Sequence, residues 1–560
     1  MNNRPFVIIF SLTLSVLASA IVVYMLGIER YSLPLVPLWL CSVGLLITAT
    51  HTASSEQWSL PSVTPRSFGI MLIILLPLLV RVLHYQPTRI HGDDLMTASF
   101  SVDYHPRTAN FFAGIPEGSA WVAKFPAPYF LFQKLFLRLA GATVLTVKLS
   151  VIPYILIVSV MTFLIARMLI GPFAAVAAII LYAFMAISIY HETLGLHFIS
   201  STAVYMIFFY ALLRAMKTSR PFWYTVSGIA AGACYLSYTS SYIALPVLLV
   251  SLITLAVVKR KKAYTTGIIW ALAGFFVILS PFLTYAVRTE NYFIGRINQV
   301  SLLTGTWSAN HDKQQNTAEQ TAAVQNNLLL SLRSFTQDGI GGHGGYTFNK
   351  RAFFDRTGLI LFGIGIIMSL FLMRHKAGIA LILLTILATY ITGVVLTIPP
   401  PAYHRLSLAF PFIAIISAVP FYYLSRWVPL RIATVFAAAV LATYAGTNIH
   451  YVQTSVMKES LIEDAAIILF INTTYPNRHV HIAAFPYFAL ENIYPFFTPA
   501  TALSVDTKYH VDYLNRFERN EPYLYIITLP KEFKDKFIAA DPNGVYVPYS
   551  EKYGIFTNAR

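Results

Sequence analysis

Residues 68–94 read FGIMLIILLPLLVRVLHYQPTRIHGDD: an apolar run from Phe68 to Leu83, then a short polar stretch that ends in two adjacent carboxylates, Asp93 and Asp94. The apolar run predicts a transmembrane helix. Acidic side chains are unfavourable close to hydrocarbon, so a carboxylate pair at a membrane boundary indicates a wet cavity with a functional role. Because most of the chain is apolar, we expect its chemistry in the few polar loops, of which this is the first.

The rest of the chain has the composition of a membrane protein. Of its 560 residues, 56% are hydrophobic, and the mean hydropathy is +0.62. Since a span needs about 20 apolar residues, we predict a polytopic α-helical membrane protein with about 13 transmembrane helices and its N-terminus inside. The predicted helix cores are 6–28, 33–50, 68–83, 144–165, 172–189, 198–213, 223–238, 243–258, 265–286, 359–373, 377–396, 406–424 and 432–444.

Basic residues are concentrated in the segments predicted to face inside. The net charge is +16, and the predicted inner segments hold fourteen basic residues against one acidic residue, Glu56. This is the positive-inside pattern, so the excess charge needs no nucleic-acid partner. Three long segments, 86–143, 288–356 and 447–560, then fall outside. The concentration of polar segments on one side favours an enzyme or receptor that works at the outer face of the membrane, either a bacterial inner membrane or a plasma membrane.

The chain divides into three predicted parts. Residues 1–66 are expected to hold two retained transmembrane helices, because the first apolar run is longer than a signal-peptide core and a second follows at once. Residues 67–446 form the membrane core with its outer loops. Residues 447–560 alternate short strands and helices, which predicts a small extracytoplasmic α/β domain that packs on the core or helps to place an acceptor. Its strands are expected at 479–484, 523–528 and 544–548, and its helices at 461–472 and 531–540.

The first outer loop contains two predicted helices. The aspartates are expected to open a short helix over residues 95–100. Carboxylates at a helix N-terminus are also ordinary caps, so a capping role is the alternative for either aspartate alone. From Pro128 to Gly141 the chain is by turns aromatic, apolar and basic, which predicts a helix lying on the membrane surface.

The order of these features resembles the GT-C superfamily of integral membrane glycosyltransferases, and within it the protein O-mannosyltransferases and aminoarabinose-type transferases of family 39 and its relatives. The likeness covers about residues 67–430. It is carried by Gly92-Asp93-Asp94, the helix from Pro128 to Gly141 that leads on to Lys148, the Gly171-Pro172 turn, the Gly-rich span 228–238, residues 344–349 with 356–359, and the proline-and-arginine turn 399–406.

Two features depart from the family pattern. Two predicted spans precede the helix that normally comes first. In many bacterial relatives a lysine stands near the end of the Gly-rich span, whereas residues 237–241 here read SYTSS. A lysine–phosphate contact is therefore not expected at that position.

The resemblance implies an inverting sugar transfer from a polyprenyl-phosphate sugar to a glycan, lipid or protein acceptor. The lipid tail stays in the bilayer while the sugar phosphate faces water, which places the reacting centre at the membrane boundary with Asp93 and Asp94. A positioned carboxylate can take the proton of the acceptor hydroxyl as general base. We assign Asp93 as the base and Asp94 as its orienting partner, with the roles interchangeable on sequence alone.

The leaving lipid phosphate needs cationic donors, and arginine suits the geometry of a phosphate. We rank Arg405 and Arg296 first; Arg405 follows Tyr403 and His404 at the mouth of a span. For each arginine, a snorkelling or solvated side chain is the alternative. Further outer cations that are candidates for donor binding are Arg89, Lys124, Arg351 and Arg356.

A second polar cluster is predicted around His191 and Glu192, with His197 close by. Glu192 is a candidate for contacting the sugar. Alternatively, Glu192 and Asp93 together are candidates for binding a divalent metal ion as a cofactor. A solvated turn is the alternative. The spacing is HExxxxH and not HExxH, which excludes a zinc metalloprotease. Arg81, inside the third span near its outer end, either snorkels or lines the cavity.

Two rival functions remain open at this point. A flippase or transporter for a lipid-linked glycan would need polar residues deep within several spans, yet most spans are purely apolar. A ligase or polymerase of O-antigen type acts on lipid-pyrophosphate glycans and depends on arginines rather than on an acidic pair. In the second outer loop, residues 339–345 read GIGGHGG, which predicts a mobile lid or tight turns.

Overall fold

The fold was obtained as a computed structural model. It describes residues 4–28, 34–54, 65–85, 92–103, 111–112, 128–259, 262–288, 292–303, 305–306, 317–340, 351–456, 463–475, 480–483, 523–528 and 530–558. The first half of the membrane part consists of α1 (Arg4–Gly27), α2 (Leu35–Ser54), α3 (Pro65–Leu83), α4 (Gly92–Asp103), α5 (Pro128–Ala140), α6 (Val144–Leu149), α7 (Ile152–Phe184), α8 (Ala186–Glu192), α9 (Phe198–Thr218) and α10 (Pro221–Cys234).

A 3₁₀ turn at Thr239–Ile243 leads into the second half of the membrane part, and π-helical turns at Ile391–Val395 and Val452–Val456 follow α16 and α20. The helices are α11 (Ala244–Lys259), α12 (Lys262–Ala286), α13 (Gly295–Val300), α14 (Thr317–Ser334), α15 (Arg356–Leu372), α16 (Ala377–Tyr390), α17 (Tyr403–Leu406), α18 (Phe410–Ser417), α19 (Val419–Trp427) and α20 (Leu430–Tyr451).

Nine helical segments in the described ranges are long and apolar enough to cross a membrane, so the chain is a multi-pass integral membrane protein. Each of the predicted apolar runs coincides with helix, but the predicted number of thirteen spans is not confirmed. Two runs fall on shorter apolar helices, Phe68–Leu83 and Arg356–Leu372. A third run falls on α10, which has 14 residues.

The predicted spans 144–165 and 172–189 are joined in one long element. Helix α7 continues through both and is broken in the middle at Gly171, whose φ of 78° and ψ of 172° are not helical. A positive φ is easily reached by glycine, and Pro172 behind it has no N–H to donate to the preceding turn. The Gly-Pro pair therefore divides α7 into two helical halves, at the turn predicted between the two spans.

The centre of the bundle is the span from Tyr403 to Trp427, of which 89% is buried. The N-terminal pair α1 and α2 packs at the side, against α10 and α12. The indole N–H of Trp39 in α2 donates to the carbonyl of Ile278 at 3.1 Å. The Trp39 ring also packs on Phe112 of the first outer loop at 5.8 Å between centroids.

The C-terminal part has the α/β character predicted from sequence. It contains α21 (Glu463–Thr474), β1 (Val480–Ala483), β2 (Leu524–Thr528), α22 (Pro530–Ala540), β3 (Val545–Pro548) and β4 (Tyr553–Thr557). The strand order is β1-β2-β4-β3, with β1 and β2 parallel and the other pairs antiparallel. Strand β4 was not predicted. The division of the chain into domains at residue 447 stays a prediction.

Alternate residues of β2 face different partners, as the period of a strand requires. Tyr523, just before β2, and Tyr525 belong to a buried cluster that includes Phe537 of α22. Leu524 and Ile526 belong to a second cluster, which also includes residues of α21. The sheet is thus covered on both faces.

The second cluster extends into the membrane part. It unites Ile467, Ile468 and Ile471 of α21 with Leu95 and Ala98 of α4. All five side chains are at most 1% exposed. The C-terminal part is therefore packed on the helix that begins with the two aspartates.

Candidate active site

The predicted catalytic pair lies in the first turn of α4. Asp94 is 1% exposed, whereas Asp93 is half-buried. The hydroxyl of Thr97 donates to the backbone carbonyl of Asp93 at 2.6 Å, which closes the first turn. The helix is longer than the predicted 95–100, because it begins at Gly92 and ends at Asp103. The two aspartates therefore differ in access to solvent although they are neighbours in sequence.

Helix α4 is tied to α5 and to the loop between α8 and α9 through one glutamine. The hydroxyl of Ser101 donates to the Gln133 side-chain oxygen at 2.6 Å. The Gln133 amide donates to the Gly195 carbonyl at 3.2 Å, and the Tyr129 hydroxyl donates to the same carbonyl at 3.0 Å. Hydrogen bonds thus connect α4, α5 and the loop between α8 and α9, three elements that are far apart in sequence.

A small pocket, partly open to solvent, lies where α5, the start of α9 and the turn after α10 meet. His197 stands in its wall, with its ring centroid 5.8 Å from that of Tyr129 and 5.1 Å from that of Tyr238. The wall therefore offers aromatic faces and hydroxyl groups together. The lining residues are Tyr129, Phe130, His197, Ser200, Leu236, Ser237 and Tyr238.

Two charged groups of opposite sign act on neighbouring residues of this wall. Burial raises the pKa of Tyr129, and the Asp94 carboxylate contributes a smaller rise. Burial and, to a smaller extent, the nearby Arg296 cation lower the pKa of His197 to about 3. Since Coulomb interactions act over short range in a solvated protein, Asp94 lies near Tyr129 and Arg296 near His197. A carboxylate and a guanidinium thus both lie within electrostatic range of the pocket wall.

The two arginines ranked first for phosphate binding are both buried in the structure. Arg296, in α13, is 7% exposed and donates to the Gln299 side-chain oxygen at 3.1 Å. Arg405, in α17, is 3% exposed and donates to the Ile398 carbonyl at 3.1 Å. The alternative of a solvated side chain is therefore wrong for both.

The neighbours of Arg405 connect to the cavity wall. His404 is 1% exposed, and its ring lies 5.1 Å from that of Phe198, which in turn lies 4.8 Å from His197. The Tyr403 hydroxyl donates to the Ser334 carbonyl at 2.7 Å and so fixes α17 against α14. His404 thus lies behind the residues that line the pocket. Tyr403 supports the position of α17.

Glu192 is buried, so the alternative of a solvated turn is wrong. It is 3% exposed at the end of α8, and its Oε2 accepts from the Arg81 Nε at 2.8 Å. Its Oε1 accepts from the hydroxyls of Tyr182 at 2.7 Å and Ser188 at 2.8 Å. Both oxygens are thus used inside the protein, which argues against a sugar contact or a metal–carboxylate bond from Glu192.

Arg81 neither snorkels nor lines the cavity. It has no exposed surface, and its guanidinium donates to Glu192, to the Ala183 carbonyl at 2.6 Å and to the Ser188 hydroxyl at 2.7 Å. His191, next to Glu192, is 4% exposed and packs against the ring of Phe410 at 6.0 Å. The predicted cluster at 191–192 therefore serves to join α3, α7 and α8.

Several predicted features fall outside the part of the chain that the structure describes: Arg89, Lys124 and most of the glycine-rich stretch 339–345. Among the residues that it does describe, no group of three or more histidine, cysteine or acidic side chains is placed to hold a metal ion. The cavity residues Tyr129, Ser200 and Tyr238 were not singled out from sequence as site residues. In the sequence, these residues were marked only by lying close to two recognised motifs, the predicted surface helix and the Gly-rich span.

Comparison with known proteins gives a consistent result. Residues 125–285 match the family model described as dolichyl-phosphate-mannose-protein mannosyltransferase. No curated protein matches the sequence. Among solved structures, the chain is similar to ArnT from Cupriavidus metallidurans bound to undecaprenyl phosphate, with a TM-score of 0.56, 12% identity, and coverage of 88% of this chain and 98% of that one.

The apo state of the same ArnT gives a TM-score of 0.54 at 12% identity, with coverage of 89% of this chain and 99% of that one. At this identity the likeness establishes the fold. It covers more of the chain than the stretch matched by the family model. The chain is thus a multi-pass integral membrane protein with the fold of the GT-C superfamily of glycosyltransferases, as the sequence resemblance predicted.

Proposed function

We propose that the protein transfers a sugar, with inversion, from a polyprenyl-phosphate carrier to an acceptor hydroxyl at the outer face of the membrane. The observation that carries this proposal is that the Asp94 carboxylate and the Arg296 guanidinium act on two residues lining one pocket, Tyr129 and His197. A sugar phosphate needs a cation at its phosphate, and the attacking hydroxyl needs a carboxylate at the other side. The fold shared with an ArnT that binds undecaprenyl phosphate supports a lipid carrier of this type.

The two aspartates are suited to different roles. Asp93 is the more accessible carboxylate, so it is the one that an incoming acceptor hydroxyl can reach. As the acceptor oxygen bonds to the anomeric carbon, Asp93 takes its proton. Asp94, buried under α5 and the loop before α9, holds the position of the first turn of α4 and adds negative charge beside the cavity.

The bond from the anomeric carbon to the phosphate oxygen breaks as the new bond forms, and its electron pair stays on the phosphate. Negative charge therefore grows on the leaving group, and buried guanidinium groups stabilise it more strongly than they would in water. Arg296 is the nearer candidate, since it acts on His197 in the cavity wall. Arg405 is connected to the pocket less directly: its neighbour His404 contacts Phe198, and Phe198 contacts His197.

The sugar itself fits the character of the wall. Tyr129 and Tyr238 line the pocket, and aromatic rings pack well on the apolar face of a pyranose or furanose. Ser200 and Ser237 offer hydroxyl partners. His197 stays neutral at physiological pH, because its pKa lies near 3, so it is a hydrogen-bonding group without charge.

The identity of the carrier can be tested without knowing the acceptor. The protein is purified in mild detergent and its bound lipids are identified by mass spectrometry. We expect a polyprenyl monophosphate, bare or carrying one sugar. Arg296→Ala and Arg405→Ala should each reduce the amount retained, while Arg333→Ala, which removes an exposed arginine of α14, should not.

Two results would contradict the proposal. Recovery of a polyprenyl pyrophosphate glycan would favour a ligase or flippase instead. Equal retention of lipid by all three arginine variants, each shown to be monodisperse by size-exclusion chromatography, would remove the assigned phosphate contact.

A further inference from the structure

A patch of basic residues lies at the end of the bundle opposite α4. We define the basic patch as Arg374, Lys376, Arg426 and Arg431. The first two stand between α15 and α16, Arg426 is in the last turn of α19, and Arg431 is in the first turn of α20. The span that ends at Trp427 begins at Tyr403 beside the candidate site, so its other end lies across the membrane from that site.

Two of these cations converge on one ring. The Lys376 Nζ lies 4.5 Å from the centroid of Tyr422, and the Arg426 Cζ lies 4.4 Å from the same centroid. The two charges are consequently no more than about 9 Å apart. Lys376 also donates to the Leu169 carbonyl next to the break in α7, which fixes its position. Like charges this close repel, so a bound anion would stabilise the arrangement.

The protein offers no acid of its own in this region. From Arg356 to Val456, a stretch that the structure describes completely, the sequence contains no aspartate or glutamate. The same holds for α7, which packs against α19 and α20. Arg374, Arg426 and Arg431 are all exposed. Their counter-charge must therefore come from outside these helices.

The surroundings of the patch are those of a membrane interface. Trp427 is 71% exposed, and Leu430, three residues later, is 61% exposed. The Trp427 ring packs against Tyr423 at 5.0 Å. Tryptophan and tyrosine prefer the level of lipid head groups, with apolar residues below them in the acyl region. A phosphate held by the arginines would thus have its acyl chains beside apolar side chains.

We propose that the basic patch binds the phosphate of an anionic phospholipid in the leaflet opposite the candidate active site. Arg374 and Arg426 are the donors to the phosphate, and Lys376 with Arg431 supplies further positive charge. The positive-inside pattern makes this the inner leaflet. The site does not depend on the proposed transferase activity, since its residues take no part in it.

The test is a titration of the detergent-solubilised full chain, followed by native mass spectrometry. Phosphatidylglycerol and phosphatidylcholine with the same acyl chains are compared, and inorganic phosphate is added as a competitor. The variant Arg374→Ala/Arg426→Ala removes two charges from the patch. Arg138→Ala/Arg333→Ala removes two exposed arginines at the other end of the bundle and serves as the matched control.

We expect wild type and the control to prefer phosphatidylglycerol. The patch variant should lose about five-fold in affinity per arginine removed, and Arg374→Lys/Arg426→Lys should restore most of it. Equal affinity of the patch variant and wild type would overturn the proposal. So would displacement of the lipid by inorganic phosphate at equal concentration, since that result would indicate a phosphate site rather than a lipid site.

Discussion

Arg81 and Glu192 form a buried ion pair, with 2.8 Å between Nε and Oε2 and side-chain exposures of 0% and 3%. The pair joins the outer end of α3 to the end of α8. Buried charges are stable only when their polar atoms form hydrogen bonds. Here hydroxyls and backbone carbonyls form hydrogen bonds with the other polar atoms of the pair. The chain that leads to Asp93 and Asp94 therefore leaves α3 from a fixed point.

Removing one partner of this pair should be strongly destabilising. Glu192→Gln leaves the buried guanidinium without its counter-charge, and the expected loss is about 3–5 kcal/mol. The exposed pair of Arg351 with Asp338, 3.0 Å apart, is the matched control. Arg351→Ala should cost at most about 1 kcal/mol. Thermal unfolding in detergent measures both, and similar losses in the two variants would contradict the structural role given to Glu192.

The Gly-rich span owes its glycines to close packing of α10 against α12. A Cβ on Gly228 would lie 1.8 Å from the Ala271 carbonyl oxygen, a distance that only a shift of backbone could relieve. Gly228→Ala should therefore destabilise by roughly 1–3 kcal/mol. Gly446→Ala, in α20 where nothing lies within 4 Å, should be neutral or stabilise by up to about 1 kcal/mol. A Gly228→Ala variant as stable as wild type would show that the helices pack less closely.

Asp355 caps α15 and links it to α20. Its carboxylate accepts from the N–H groups of Thr357 at 3.1 Å and Gly358 at 3.2 Å, and from the Asn448 amide at 3.0 Å. Asp355→Ala should cost about 1–2 kcal/mol. Asp355→Asn keeps an oxygen that can accept from the capped N–H groups. Since burial raises the pKa of Asp355 and so disfavours its charge, a neutral amide should retain most of the stability. Equal losses for the two substitutions would argue against capping.

His197 should make the fold sensitive to acid. Its folded pKa of about 3 is below the usual 6.5, so the unfolded chain takes up a proton on it while the folded chain does not. The stability linked to this depressed pKa is present above about pH 6.5 and is lost as the pH falls toward 3. His197→Asn should lose less stability than wild type between pH 7 and pH 4.5, as measured by the melting temperature.

The exposed His450 supplies the control for that experiment. His450→Asn should keep the acid sensitivity of wild type, because His450 does not line the cavity. If His197→Asn and wild type lost stability in parallel, the neutral, buried state assigned to His197 would be contradicted.

Much of the fold was predictable because hydrophobic runs and glycine patterns are local signals. The run before Asp93, the surface helix from Pro128 and the strand at residues 524–528 all appear in the structure. Strand β4 was missed, because Tyr553–Thr557 is short and contains Gly554, a residue that weakens the pattern of a strand. It is specified by its pairing with β2 and β3 on either side.

The site was predictable only in part, for a related reason. Buried charges such as Arg81 and Glu192 are 111 residues apart in sequence, and no local pattern indicates that they meet. The cavity wall is likewise assembled from α5, α9 and the end of α10. Family resemblance pointed to Asp93 and Asp94, but the meeting of Tyr129, His197 and Tyr238 in one pocket wall emerges only from the packing of these helices.

The most direct test of the central claim is a sugar-transfer assay with purified, reconstituted protein and the polyprenyl-phosphate sugar identified by mass spectrometry. Wild type should release polyprenyl phosphate in step with glycosylation of the acceptor. Asp93→Asn should lower the transfer rate by at least about 100-fold, the usual contribution of a general base, while binding the donor lipid as well as wild type does. Transfer at the wild-type rate by Asp93→Asn/Asp94→Asn would contradict the account.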